Sequence, residues 1–222
     1  MQKLMDKKQL ENFCAALLKA YPNPKCELKW TNTWELIVAF FLSAQSTDKN
    51  VNAQTPALFA TANTPEAFLK MGYDKVHSYL TSINYHNNKA KSIMNLAEVI
   101  VEKYHGQMPK DFDTLITLPG IGNKTASVFL NVAYHAPKIG VDTHVFRLCH
   151  RLGIAFAKTP EELQQKLEQI VPEKYKPDFA LALVLLGRYI CTARKTKCSE
   201  CPMYHVCISE ERKRCWKKLE CF

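Results

Sequence analysis

Two helical patterns, residues 111–117 and 123–134, are separated by a short glycine-containing segment. The segment and the start of the second pattern read Leu118-Pro119-Gly120-Ile121-Gly122-Asn123-Lys124-Thr125-Ala126. Gly120 and Gly122 permit a tight turn whose backbone can approach a ligand closely. The helix that follows points free N–H groups, with a partial positive charge, out of the turn toward a site that a DNA phosphate can occupy. A plain helix–helix connection is the alternative. The basic chain and a cysteine-rich loop downstream favour a DNA-binding hairpin, with Leu118, Gly120 and Gly122 as DNA-binding residues.

Lys124 lies in the first turn of the helix after the hairpin, where a cation is electrostatically disfavoured. A neutral lysine amine is a nucleophile, which allows a covalent role, but most lysines after a turn are simply solvated, so position alone favours a surface lysine. Asp142 begins the next helical pattern, in Val141-Asp142-Thr143-His144-Val145, where its ordinary role is to cap the helix.

Simple geometry allows these two side chains to meet. Residues 123–134 form a helix roughly 18 Å long at about 1.5 Å per residue. Residues 135–141, if extended, run back about 23 Å at about 3.3 Å per residue. Both helix N-termini are therefore predicted to face one cleft. A lysine beside a carboxylate is suited to displacing a base from deoxyribose: the amine attacks C1′, and the carboxylate accepts a proton and stabilises positive charge on the sugar.

Four cysteines near the C-terminus follow the spacing C-x6-C-x2-C-x5-C: Cys191, Cys198, Cys201 and Cys207. Thiolates are soft ligands, and four in one short loop can hold an iron–sulfur cluster or a tetrahedral zinc ion. The alternative is that they pack as small hydrophobic residues, but the intervening segment has no apolar stripe to bury and gains little from folding unless a metal organises it. Of the remaining cysteines, Cys14 and Cys149 are predicted to be core residues, and Cys215 and Cys221 are interpreted as tail cysteines.

Composition limits the class of protein. The chain has 222 residues, 47% of them hydrophobic, with a net charge of +9 and a pI near 9.0, which favours a polyanionic partner. Neither an N-terminal signal core nor a run of roughly 18 apolar residues is present, so we expect a protein of the reducing cytosol with no membrane partner. No heptad pattern stands out, and we expect a monomer.

Helical periodicity dominates the chain. Leu10, Phe13, Cys14, Leu17 and Leu18 form one apolar stripe, and a second runs from Ile93 to Tyr104. Residues 34–42 form an apolar run typical of a buried helix. Thr64 and Thr159, each followed by Pro-Glu, are predicted N-caps. Because no stretch shows strand alternation, the sequence predicts an all-α fold.

Taken together, these motifs resemble the endonuclease III family, the bifunctional DNA glycosylases of the helix-hairpin-helix superfamily. The resemblance is carried in order by residues 42–48 (Leu-Ser-Ala-Gln-Ser-Thr-Asp), 118–126, 141–145 and the four cysteines. It implies two helical subdomains flanking a DNA-binding cleft: a six-helix barrel with the hairpin (residues 25–137) and a cluster domain built from both termini (residues 1–24 and 138–222). The damaged nucleotide would be flipped into that cleft.

The resemblance also implies the chemistry. Lys124 would be the Schiff-base nucleophile, Asp142 its acidic partner, and Cys191, Cys198, Cys201 and Cys207 the ligands of a 4Fe–4S cluster. The substrate would be double-stranded DNA carrying oxidised pyrimidines or abasic sites, with β-elimination cutting the strand on the 3′ side. A bacterial-type, cytoplasmic, nucleoid-associated enzyme is expected, and Lys195 in the cluster loop is suited to a phosphate contact.

Two positions concern how the duplex is opened. Gln45 matches a family residue that fills the space left by the flipped base; its alternative role is to cap a helix end. Tyr85 stands where many relatives place a leucine wedge, and a tyrosine can wedge or stack. Asn123 stands where a basic residue often precedes the lysine.

Two rival functions remain at this point. An adenine-mismatch glycosylase has a similar cluster but lacks the lysine and carries an extra C-terminal domain. A non-catalytic DNA-binding protein could use the same four cysteines to hold zinc.

Overall fold

The computed structural model describes residues 3–210 and residue 212, so Cys215 and Cys221 lie outside the described residues. Across that part of the chain the secondary structure is helical, without strands, which confirms the all-α prediction. Eleven α-helices follow one another there: α1 Lys7–Ala20, α2 Thr33–Ser43, α3 Asp48–Thr61, α4 Pro65–Met71, α5 Tyr73–Tyr79, α6 His86–Tyr104, α7 Phe112–Leu115, α8 Asn123–Tyr134, α9 Thr143–Leu152, α10 Pro160–Ile170 and α11 Lys176–Tyr189.

Local signals set the helix boundaries. Thr64 and Thr159 accept a hydrogen bond from the backbone three residues on, and each is followed by a proline in the first helical turn, as predicted. Asp6 and Gln9 form a reciprocal capping box at the start of α1. α6 ends at Tyr104, and its capping residue His105 has a positive φ, as does Gly106. The helix predicted over residues 111–117 is shorter, since α7 ends at Leu115 and the chain then turns into the hairpin.

The chain divides into two compact units, one of residues 26–134 and one of residues up to Lys25 together with those from His135 onward. In the first, α6 packs against α2, α4 and α5, and α2 also packs against α3 and α8. Its core includes the fully buried side chains Leu36, Ile37, Phe68, Ile93 and Phe129.

In the second unit, α11 packs against α9 and α1. Cys14 and Cys149 lie fully inside its hydrophobic core, which confirms them as packing residues, and burial raises the pKa of the Cys14 thiol to about 12. The N-terminal segment is fastened by a hydrogen bond from Met5 N to Gly153 O of 2.7 Å. Among the described helices none is long and apolar enough to cross a membrane.

Candidate functional site

The hairpin turn (residues 118–122) requires glycine at one of its two glycine positions. Gly120 has φ +79°, and a Cβ built on it would lie 2.6 Å from Cε1 of the Phe41 ring on α2. Ile121 N donates to Leu118 O at 3.1 Å, and both side chains are buried, so the turn is anchored from within. A Cβ added to Gly122 would have no atom within 4 Å. The space beside the backbone at Gly122 is therefore open.

Lys124 is exposed in the first turn of α8, which begins at Asn123 as the sequence predicted. The helix is held in place by its buried face, including Ala126, Phe129 and Leu130. The first N–H groups of a helix have no intrahelical partner, and here they lie beside the open backbone of Gly122. Positively polarised N–H groups and a lysine amine thus share the start of one helix.

Asp142 is the N-cap of α9, as predicted, and its carboxylate is fixed through both oxygens. Oδ1 accepts from His144 N at 2.9 Å and from Val145 N at 2.8 Å. Oδ2 lies 3.1 Å from His144 Nδ1, which donates to it when that nitrogen carries a proton. The Asp142 and His144 side chains are 23% and 28% exposed, so the carboxylate remains accessible. Lys124 and Asp142 belong to different units, and their meeting stays a prediction.

Two arginines on α9 reach the cysteine-rich loop. Arg147 Nη2 donates to Cys191 O at 3.2 Å and to Gly187 O at 2.9 Å, where the absence of a side chain lets α11 approach closely. Arg151 Nη1 donates to Thr192 O at 2.7 Å and lies 3.4 Å from the sulfur of Cys191. Sequence reasoning did not single out this pair. Because Arg147 and Arg151 are four residues apart, they lie on one face of the helix that Asp142 caps, and this spacing is the pattern from which the sequence could have predicted them as a pair.

The four predicted cluster cysteines share one neighbourhood. Burial, and after it the charges of Cys207, Cys191 and Cys198, raise the pKa of the Cys201 thiol to about 11. Each of those three has a polar neighbour: Arg151 for Cys191, Thr196 Oγ1 at 3.5 Å for Cys198, and Ser209 Oγ at 3.2 Å for Cys207.

No disulfide joins any of the seven cysteines in the described part of the chain. Within the same residues no group of three His, Cys, Asp or Glu side chains is arranged to hold a single metal ion. Four mutually interacting cysteines in one loop fit the donor set of an iron–sulfur cluster. Lys195 is exposed in this loop, and its carbonyl accepts from Thr192 Oγ1 at 2.5 Å.

Gln45 and Tyr85, the two residues predicted to enter the duplex, lie on exposed turns of the unit of residues 26–134. Both adopt left-handed backbone conformations, with φ +55° and +59°. Tyr85 is 63% exposed. Asn84 Nδ2 donates to Gln45 O at 2.8 Å, which joins the two turns directly.

Lys89 supports the same pair of turns and was missed by sequence reasoning. It is only 8% exposed, and its ammonium donates to Leu42 O at 2.8 Å and to Ser46 Oγ at 3.2 Å. Burial lowers its pKa below the ordinary value. The signal was present in the sequence, because Lys89 falls on the apolar stripe of α6, four residues before Ile93.

Residues 38–173 match the family model described as HhH-GPD superfamily base excision DNA repair protein. An endonuclease III of Rickettsia conorii (strain ATCC VR-613 / Malish 7) is 46% identical over 189 residues, or 85% of this chain and 90% of that protein. An endonuclease III of Escherichia coli (strain K12) is 39% identical over 208 residues, or 94% of this chain and 99% of that protein.

Solved structures agree with these relatives. A trapped endonuclease III–DNA covalent intermediate, an estranged-adenine complex, matches with a TM-score of 0.87 and 35% identity, covering 96% of this chain and 100% of that chain. A non-covalent endonuclease III–DNA complex matches with a TM-score of 0.87 and 34% identity over the same shares. A thermostable thymine-DNA glycosylase, 23% identical with a TM-score of 0.82 over 92% of this chain and 98% of that chain, shares the fold.

Proposed function

Because the chain belongs to the endonuclease III family of the HhH-GPD superfamily, we propose that Lys124 and Asp142 carry its chemistry, on oxidised pyrimidines in duplex DNA. At the level of the family the activity is that of a base excision repair DNA glycosylase with AP lyase activity, and DNA is its partner. The observation that carries the residue assignment is Lys124, exposed at the open N-terminus of α8 directly after the hairpin.

In the first step the neutral amine of Lys124 attacks C1′ of the damaged nucleotide, and the glycosidic C–N bond breaks. The electron pair of that bond leaves with the base, which takes up a proton. Asp142 accepts the proton that the amine loses and stabilises positive charge developing on the sugar. Two backbone N–H groups and His144 hold this carboxylate in one orientation, so little reorganisation is needed as the charge develops.

In the second step the sugar ring opens and the link between Lys124 and C1′ becomes a Schiff base. The positive imine nitrogen acidifies the C2′ proton, whose removal expels the 3′ phosphate by β-elimination. Hydrolysis of the imine then returns the free amine. The strand is cut on the 3′ side of the abasic site, and no external oxidant or reductant is required.

DNA contacts come from several parts of the chain. The open backbone at Gly122 and the first N–H groups of α8 bind a phosphate, and the buried Leu118 and the left-handed Gly120 hold the hairpin in shape for that contact. Gln45 fills the space left by the flipped base, and Tyr85 enters or stacks on the neighbouring bases.

A 4Fe–4S cluster held by Cys191, Cys198, Cys201 and Cys207 completes the second unit. When bound, it supplies cross-linking of the loop rather than a step in base removal. Lys195 in that loop contacts a DNA phosphate. The protein acts as a monomer, and its bacterial relatives support a cytoplasmic, nucleoid-associated enzyme.

Borohydride trapping tests the nucleophile. The reductant converts a Schiff base to a stable amine, so the wild-type protein is expected to become cross-linked to a duplex containing thymine glycol or an abasic site. Lys124→Ala should abolish cross-linking and retain binding to the duplex. Lys91→Ala, which removes an exposed lysine from α6, is the matched control and should cross-link normally. Normal trapping by Lys124→Ala would show that another amine is the nucleophile.

A further inference from the structure

The turns that carry Gln45 and Tyr85 are both held in an unfavourable backbone conformation. Left-handed φ values bring Cβ close to the following carbonyl, so residues other than glycine adopt them only when surrounding contacts impose them. Here neither residue is buried, and Tyr85 is 63% exposed. The constraint must therefore come from the backbone contacts of the two turns and not from packing of these side chains.

One side chain connects the two turns. Asn84, which directly precedes Tyr85, donates through Nδ2 to the carbonyl oxygen of Gln45 at 2.8 Å. The bond joins residues 39 positions apart in the sequence. It links the carbonyl of Gln45 to the residue directly before Tyr85, and both Gln45 and Tyr85 have left-handed backbones.

Each turn also has its own separate support. Ser46 N donates to Ser43 O at 3.0 Å, and Lys89 Nζ donates to Ser46 Oγ, so the Gln45 turn is fixed to α2 and α6. Asn50 Nδ2 donates to Ser82 O at 3.0 Å, at the start of the Tyr85 turn. Removing the Asn84 side chain would leave both turns folded while it removes the bond that joins Gln45 to the residue before Tyr85.

We propose that Asn84 is a positioning residue that couples Gln45 and Tyr85, so that the two side chains enter the duplex as one unit at a fixed spacing. The inference rests on the proposed DNA roles of Gln45 and Tyr85. Asn84 need not touch the reacting atoms; its amide sets where Gln45 lies relative to Tyr85. A fixed spacing makes the fit of the pair depend on the size of the base opposite the lesion. Asn84 therefore sharpens discrimination among opposite bases.

A double-mutant cycle measures this coupling. The substitutions Gln45→Ala and Tyr85→Ala, singly and together, are made with Asn84 present and again with Asn84→Ala. The readout is kcat/KM on a thymine-glycol duplex. With Asn84 present, the fold-loss of kcat/KM in the double variant should be smaller than the product of the fold-losses in the two single variants. The difference should be about 2- to 10-fold, the factor that corresponds to one neutral hydrogen bond. In the Asn84→Ala background, the fold-loss of the double variant should equal the product of the fold-losses caused by Gln45→Ala and Tyr85→Ala.

The opposite-base preference gives a second readout that a merely structural role would not change. Asn84→Ala should narrow the spread of kcat/KM among the four opposite bases, mainly through KM, and should retain borohydride trapping on a single-stranded abasic oligonucleotide. Asn88→Ala, which removes an exposed asparagine from the first turn of α6, is the matched control and should leave the spread of kcat/KM unchanged.

Equal coupling in both backgrounds, or no coupling with Asn84 present, would overturn the proposal. Loss of coupling with an unchanged thermal midpoint would support it. A failure of the proposed function is distinguishable, because it would appear as normal trapping by Lys124→Ala, whatever the outcome of the cycle.

Discussion

Replacing Gly120 by alanine tests whether the hairpin is shaped by the helix behind it. Alanine at φ +79° costs about 1–2 kcal/mol from the left-handed conformation alone. The new Cβ would also lie 2.6 Å from Cε1 and 2.8 Å from Cζ of Phe41, so the ring must move. Overpacking of this kind typically costs about 1–3 kcal/mol.

Together these effects lower the free energy of unfolding by about 2–5 kcal/mol. For a chain of this size that corresponds to a thermal midpoint about 4–20 °C lower, at about 2–4 °C per kcal/mol. Urea unfolding followed by circular dichroism measures the change. Adding Phe41→Leu, which removes the ring, should recover the steric part of the loss and leave the backbone part.

Gly122→Ala is the matched control, since nothing lies within 4 Å of its Cβ position. Its stability should stay within about 0.5 kcal/mol of wild type. Its affinity for an abasic-site duplex should nevertheless fall by about tenfold or more, because a methyl group would obstruct a charge-assisted phosphate contact. Wild-type stability in Gly120→Ala would refute the packing argument, and wild-type DNA affinity in Gly122→Ala would refute the phosphate site.

Three further changes have defined outcomes. Asp142→Asn keeps a good helix cap and should alter stability by less than about 1 kcal/mol while slowing single-turnover base release by about 10² or more; an unchanged rate would reduce Asp142 to its capping role. Burial lowers the pKa of Lys89, so in the window just below the ordinary value of 10.5 the unfolded chain holds a proton that the folded chain has lost, and stability rises with pH there. The free energy of unfolding of Lys89→Met, measured in urea at several pH values, should lack that rise. An equal pH dependence in the two proteins would contradict the assignment. Protein purified without oxygen from iron-replete cells should be brown, with about four irons per chain, whereas a colourless, zinc-loaded preparation would favour the zinc alternative.

Much of the fold could be predicted because its signals are local. The starts of α4, α9 and α10 were predicted from Thr64, Asp142 and Thr159, whose side chains accept from backbone groups two or three residues on. The apolar stripe of α1 predicted that Cys14 is a core residue. Each of these contacts involves residues within about one helical turn, so the order of residue types is sufficient.

Parts of the candidate site could not be predicted, because their contacts join distant segments. Phe41 imposes glycine at position 120 from a helix much earlier in the chain. Lys89 is buried against Leu42 across 47 positions, although lysine is rarely buried unless it is paired. The roles of Lys124 and Asp142 came from family resemblance together with local position, and they stay predictions until the variants are measured.

By itself, the sequence determined an all-helical fold and the positions at which several of its helices begin, and it predicted that a cysteine-rich loop holds a metal cluster. Helix caps and apolar stripes depend on neighbours within a few residues, so the order of residue types is enough to locate them. Only the tertiary structure decided that Gln45 and Tyr85 share a hydrogen-bonded scaffold and that Asn84 joins them. Such contacts exist only after α2 and α6 have packed together, because close packing brings together side chains that no local pattern relates.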